Sequence, residues 1–139
     1  MQGQVSMNSS VRGYWLMTWL GLIGNVVALP VIAWFAFFTP SLRVANVSLA
    51  FGLAWPAAVV GIVASAGLLA ERRWGGVVAI VALSMALAAS LPYGIVRFAL
   101  HAVGVDAVAM GWLSMLLALL NLLALLFWCR PQLRRGGPL

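Results

Sequence analysis

Four apolar runs constrain this chain more than any other feature: residues 14–38, 47–69, 75–96 and 108–128 hold no charged side chain. A bilayer crossing takes about 20 apolar residues, because each helical residue rises ~1.5 Å through ~30 Å of hydrocarbon. Four crossings therefore use most of the 139 residues and leave no length for a sizeable soluble catalytic domain. Buried helices of a soluble bundle would keep a polar stripe at helical spacing. Residues 113–127 offer only Ser114 and Asn121. The 7% of charged residues agrees, since soluble domains carry about a quarter. The expected fold class is all-α, an integral membrane four-helix bundle with short loops.

Between the runs lie short connections. Residues 1–13 form a polar N-terminal segment ending near Arg12. The first run is longer than a signal-peptide core, and Phe37, Phe38, Thr39 and Pro40 follow it in place of a small-residue cleavage site, so it reads as a retained anchor. Residues 39–46 are expected to form a loop with Pro40 as its stop signal. Residues 70–74, with Glu71, Arg72 and Arg73, form a tight antiparallel connection. Residues 97–107 are expected to form a second outer loop holding Arg97, His101 and Asp106, and 129–139 a basic, Gly/Pro-rich disordered tail.

Every basic residue is arginine, and the net charge is +6. The arginines stand singly or in pairs beside apolar runs, with no basic helix face interleaved with aromatics, so lipid headgroups rather than nucleic acid are the expected partner. With both termini in the cytoplasm, Arg12, Arg72, Arg73, Arg130, Arg134 and Arg135 lie inside and only Arg43 and Arg97 outside. The positive-inside rule favours that orientation. Trp15, Trp74 and Trp128 then fall at the inner interface, Trp34 and Trp112 at the outer. The expected location is a multi-pass one in a bacterial inner membrane or its equivalent.

The chemistry-bearing residues are few. The only acids are Glu71 and Asp106, and His101 is the only histidine. No catalytic residues, metal site or cofactor are expected, because a zinc site takes about three or four ligands and a proton path usually holds ionisable groups within the bilayer. His101 could ligate a pigment or haem shared with a partner, or simply suit a helix C-terminus. Cys129, the sole cysteine, rules out an intrachain disulfide and borders the membrane, where acylation or plain packing are both open.

Asn25 is the most informative polar residue. It stands near the middle of the first run, where an unpaired amide is expensive, so it serves either as helix-to-helix glue or as a contact in a solute path. Small residues at spacing four form two rows: Ala57, Gly61 and Ser65 in the second run, and Ala82, Ala86, Ser90 and Gly94 in the third. Such rows let backbones approach closely in lipid, and the two are expected to face each other. In the Leu-rich fourth run, leucine at Ala118 is expected to be milder than at Gly61 or Ala86. Pro30, Pro56 and Pro92 free the carbonyls of Val26, Gly52 and Ala88. Their similar depth suggests a small polar pocket in the outer half, with Asn25 and Ser90 as donors, or else three unrelated kinks. The leading expectation is a non-enzymatic accessory or structural subunit that packs against other membrane helices or its own copies. The alternative is a small permease or channel that forms its path by oligomerising.

Overall fold

A computed structural model describes residues 2–104 and 108–130, with side chains from residue 11 onward. Its described residues form four helices and no strands. The first, α1, is Gln2–Phe38. The second, α2, is Arg43–Leu69, and it opens into a π-helical stretch at Ala50–Ala54. The third, α3, is Arg73–Ala102, and the fourth, α4, is Val108–Cys129. All four contain segments long and apolar enough to cross a membrane. The tail expected at 129–139 lies outside the described residues apart from Cys129, which ends α4, and Arg130.

The helices run further than the apolar runs. α1 extends back through the polar N-terminal segment to Gln2, and α2 begins at Arg43, inside the expected loop. The larger correction is in α3. It does not stop at Val96 but continues to Ala102, so Arg97 and His101 are helical and not in a loop. The physical reason is local: Arg97 is followed by Phe98, Ala99 and Leu100, which propagate a helix well, and the break waits for Gly104 at φ 77°.

The connection between α2 and α3 is a helix stop made without glycine. Glu71 takes the left-handed conformation (φ 54°), its N–H bonds Leu68 O at 3.1 Å, and the Arg72 N–H bonds Gly67 O at 2.8 Å. That is the paired hydrogen-bond pattern of a Schellman stop. A Cβ on Gly75 would fall 2.7 Å from the Leu68 backbone nitrogen, so glycine is what lets α3 start directly against the end of α2.

This end of the molecule, called basal here, is where all four helices meet. Tyr14 of α1, Ala64 and Leu68 of α2, Ala79 of α3 and Trp128 of α4 form one buried cluster. The Tyr14 hydroxyl donates to Leu68 O at 2.9 Å, and its ring meets Trp128 edge-on with centroids 5.6 Å apart. Beside it, a Cβ on Gly13 would touch the Phe127 ring at 3.8 Å. Further along the same two faces, Leu20 and Gly24 on α1 and Leu123, Leu120 and Leu116 on α4 are exposed. The α1–α4 seam is thus closed by aromatics at the basal end, and its walls become exposed toward the distal end.

Four members of the two small-residue rows pack on other helices than the expected partner row. Gly61 packs on Asn25 of α1, and Ser65 lies beside Gly21 of the same helix. On α3, Gly94 takes the Met115 side chain of α4, and the Ser90 carbonyl accepts a hydrogen bond from Ser114 of α4 at 2.7 Å. These four members of the rows serve the neighbours on the outside of the α2–α3 pair. Ala118, where leucine is expected to be milder, is 4% exposed, so it is a packing position of α4 rather than an outward-facing one.

Candidate functional site

The most unusual side chain in the fold is Arg97. It is fully buried, and with Thr18 it is the largest side chain sealed in this way. Its stem leaves α3 five residues before the helix end, and its guanidinium reaches the turn between α1 and α2. Nη1 donates to Ser41 Oγ at 2.7 Å. Nη2 donates to Tyr93 Oη at 2.6 Å and Asn46 Oδ1 at 3.2 Å, with a longer contact to Ser41 O at 3.5 Å. Tyr93 precedes Arg97 by one helical turn, so its ring also lies under the cation, 4.9 Å from Cζ to the centroid.

A buried guanidinium must have its donors satisfied, since moving a charge out of water costs several kcal/mol. The fold supplies oxygens from the α1–α2 turn, from α2 and from α3 itself. Asn46 is itself buried. It spends its Nδ2 on Ser41 O at 2.9 Å, which aims Oδ1 at Arg97. Ser41 is held from both sides. The chain reaches this geometry through Leu42 in the left-handed region (φ 55°), an uncommon conformation for a branched residue that costs roughly 1–2 kcal/mol. Strain of that kind persists where surrounding contacts over-determine it, and here the Arg97 cluster does so. Chemically the cluster is a fixed cation with a planar fork of donors, which ties α3 to the distal α1–α2 turn.

A second polar feature lies near the middle of α1. Asn25 Nδ2 donates to Gly21 O at 2.7 Å, one turn back in its own helix. A Cβ on Gly61 would lie 2.6 Å from Asn25 Cγ and Oδ1, so the missing side chain on α2 is what makes room for the amide. Four hydroxyls are internal to their helices: Thr18 donates to Tyr14 O, Ser65 to Gly61 O, Ser84 to Ile80 O and Ser90 to Ala86 O, at 2.8–2.9 Å.

The proline residues are spread over the surface and the α1–α2 interface. Pro30 and Pro92 are exposed, and Pro56 is half-buried. Ahead of Pro56, α2 widens into its π stretch, where the Trp55 N–H bonds Ala50 O five residues back. This is a usual way for a helix to absorb a residue without an N–H. The Trp55 indole donates across to Leu29 O at 2.9 Å, next to Pro30, so one side chain braces both disturbed helices. Among the expected pocket residues, the described side-chain hydrogen bonds of Asn25 and Ser90 stay within α1 and α3, and the Ser90 carbonyl accepts from Ser114 of α4. No described bond brings the two together. The packing residues Ala57 and Ala82 are buried, and Ala86 is half-buried.

His101 lies exposed in the last turn of α3, and Cys129 is exposed at the end of α4. No group of three or more His, Cys, Asp or Glu that could hold a metal occurs among the described residues. Sequence reasoning missed Arg97 and Asn46 by assigning both to loops. The available signal was the apolar continuation of α3 beyond Arg97, which marks an arginine inside a helix rather than at its end. Compared with protein-family models, curated proteins and solved structures, the chain has no significant match.

Proposed function

We propose that the protein is a non-enzymatic membrane subunit, inserted by its four helices with both termini in the cytoplasm, which works by packing its outer faces against other membrane helices. The observation that carries this reading is how much apolar surface the four helices leave uncovered. Only 6% of the most apolar stretch of α1 is buried, and α4 presents Leu113, Leu116, Leu117, Leu119, Leu120 and Leu123 at 42–55% exposure. Lipid covers such faces adequately, and so does another helix. The polar interior, by contrast, is spent on holding the bundle together. Charge supports the orientation: Arg12, Arg72, Arg73 and Arg130 are exposed toward the basal end, while at the distal end Arg43 is exposed and Arg97 is withdrawn into the fold.

The test is mild detergent extraction of the full chain, followed by identification of what co-purifies at fixed stoichiometry. A defined membrane complex supports the reading, and a chain that is monomeric and alone in native lipid overturns it. One observation favours the runner-up, a small permease assembled from several copies: the Asn25 amide stands half-buried near the middle of a span. Solute flux into vesicles holding the purified chain alone would favour that runner-up.

A further inference from the structure

The basal end carries cations for which the chain supplies almost no anion. Arg12, Arg72, Arg73 and Arg130 are all exposed there, and among the described residues none of them makes an ion pair or a side-chain hydrogen bond. The 139 residues hold two acidic side chains, Glu71 and Asp106, and only Glu71 belongs to the basal connection. One carboxylate cannot neutralise four guanidiniums. The distal end is the reverse. Arg97 is withdrawn onto Ser41, Asn46 and Tyr93, which leaves Arg43 as the exposed arginine described there.

The four basal cations stand at the depth of a membrane surface. Arg12 precedes Tyr14 by two positions, Arg130 follows Trp128 by two, and Arg72 and Arg73 join α2 to α3 next to Leu68, so all four adjoin the basal aromatic cluster. Trp15 packs on that cluster. Trp74 is 48% exposed and lies over Gly67, where a Cβ would fall 2.6 Å from its ring. Tryptophan and tyrosine concentrate at the level of lipid headgroups. A guanidinium at that level presents a planar fork of donors that matches phosphate oxygens. Toward the distal end, Leu16 and Leu20 on α1 and Leu123 and Leu126 on α4 are exposed apolar surface of the kind acyl chains cover.

We propose that the basal rim is a docking surface for anionic phospholipids, whose phosphates serve as the counter-ions that the chain itself lacks. Charge decides the lipid class. A zwitterionic headgroup brings its own cation to a rim already short of anions, whereas a headgroup of net negative charge does not. A soluble acidic partner would meet the arginines but not the apolar surface beside them. The two ends of the bundle therefore differ in lipid preference, the basal end selecting anionic species. This rests on the inserted four-helix reading above and is independent of which helices the outer faces meet.

The full chain, reconstituted in vesicles of equal parts phosphatidylglycerol and phosphatidylcholine, is extracted in mild detergent, and the retained lipid is quantified by mass spectrometry. Phosphatidylglycerol should be enriched over the vesicle composition. Each basic residue near an anionic leaflet contributes about fivefold to its attraction, so Arg72→Gln/Arg73→Gln should lower the anionic-to-zwitterionic ratio at least about fivefold. The backbone N–H of Arg72, not its side chain, closes the helix stop, so this variant should keep its melting temperature in neutral detergent. Arg12→Gln/Arg130→Gln tests the rim independently, and Arg43→Gln at the distal end should leave the ratio unchanged. Retention in proportion to the vesicle composition, a ratio indifferent to both basal pairs, or an equal fall with Arg43→Gln overturns the proposal. So does stripping by inorganic phosphate beyond what chloride achieves at the same ionic strength, which marks a site for a soluble anion. Each of these results leaves the subunit reading standing, since that reading fails only on a chain found monomeric and alone in native lipid.

Discussion

Truncating Arg97 to alanine should be the most damaging single change in the described fold. The wild-type guanidinium makes two short hydrogen bonds, 2.6 Å to Tyr93 Oη and 2.7 Å to Ser41 Oγ, and a third of 3.2 Å to Asn46 Oδ1. Hydrogen bonds to a charged group contribute about 1.5–3 kcal/mol each, though not additively. Removing one partner of a buried charged network typically costs about 3–5 kcal/mol, because the groups left behind stay buried without their partner. We expect Arg97→Ala to fall in that range, which lowers the folded-to-unfolded ratio by more than about a hundredfold. Arg97→Lys keeps the charge but loses the planar fork, so it should be intermediate. Tyr93→Phe keeps the ring under the cation and loses one acceptor, for about 1–3 kcal/mol. Reversible unfolding in detergent micelles measures all three. An Arg97→Ala protein within about 0.5 kcal/mol of wild type, the usual range for an exposed site, would refute the reasoning. So would a lysine variant weaker than alanine.

Gly61→Leu should destabilise by at least the roughly 1–3 kcal/mol typical of overpacking, because even a Cβ there runs into Asn25, whereas Leu120→Ala on the exposed face of α4 should be nearly silent; detergent melting compares them. Leu42→Gly should stabilise by about 0.5–1 kcal/mol, the left-handed strain relieved less the added backbone entropy of glycine, and a loss of stability would mean that Leu42 is held by contacts that outweigh its strain. Native Cys129 and a cysteine placed at Val44, which is 83% exposed at the distal end, should react with impermeant reagent from opposite sides of the membrane. Labelling of Cys129 from outside intact cells would reverse the proposed orientation.

Much of the helical framework was legible in the sequence, because length and the absence of charge are properties of contiguous residues. The stop at Leu69 and the tight turn before Arg73 follow from the Glu71, Arg72 and Arg73 cluster alone. What the sequence did not disclose is which way a face turns. The small residues Gly61 and Gly94 were visible as close-packing positions, but their partners, Asn25 and Met115, depend on rotations that no spacing rule sets in a helix apolar on all sides. Arg97 was misplaced because a lone charge after an apolar run ordinarily marks the interface. The oxygens that make its burial tolerable come from Ser41 and Asn46, more than fifty positions away in sequence.

The basal aromatic cluster also bears on the order in which the protein can be completed. Tyr14 and Leu68 are joined by a hydrogen bond across 54 positions and both belong to the first half of the chain, so that contact can form while the rest is still being synthesised. Trp128, whose ring meets the same Tyr14 ring edge-on, is among the last described residues to be made. A ribosome pausing between α3 and α4 would therefore hold an intermediate with the Arg97 clamp able to close but the Tyr14 ring without its Trp128 neighbour. α4 acts as a latch on α1, and quality control that senses exposed aromatic surface would see the difference between a chain with α4 in place and one lacking it.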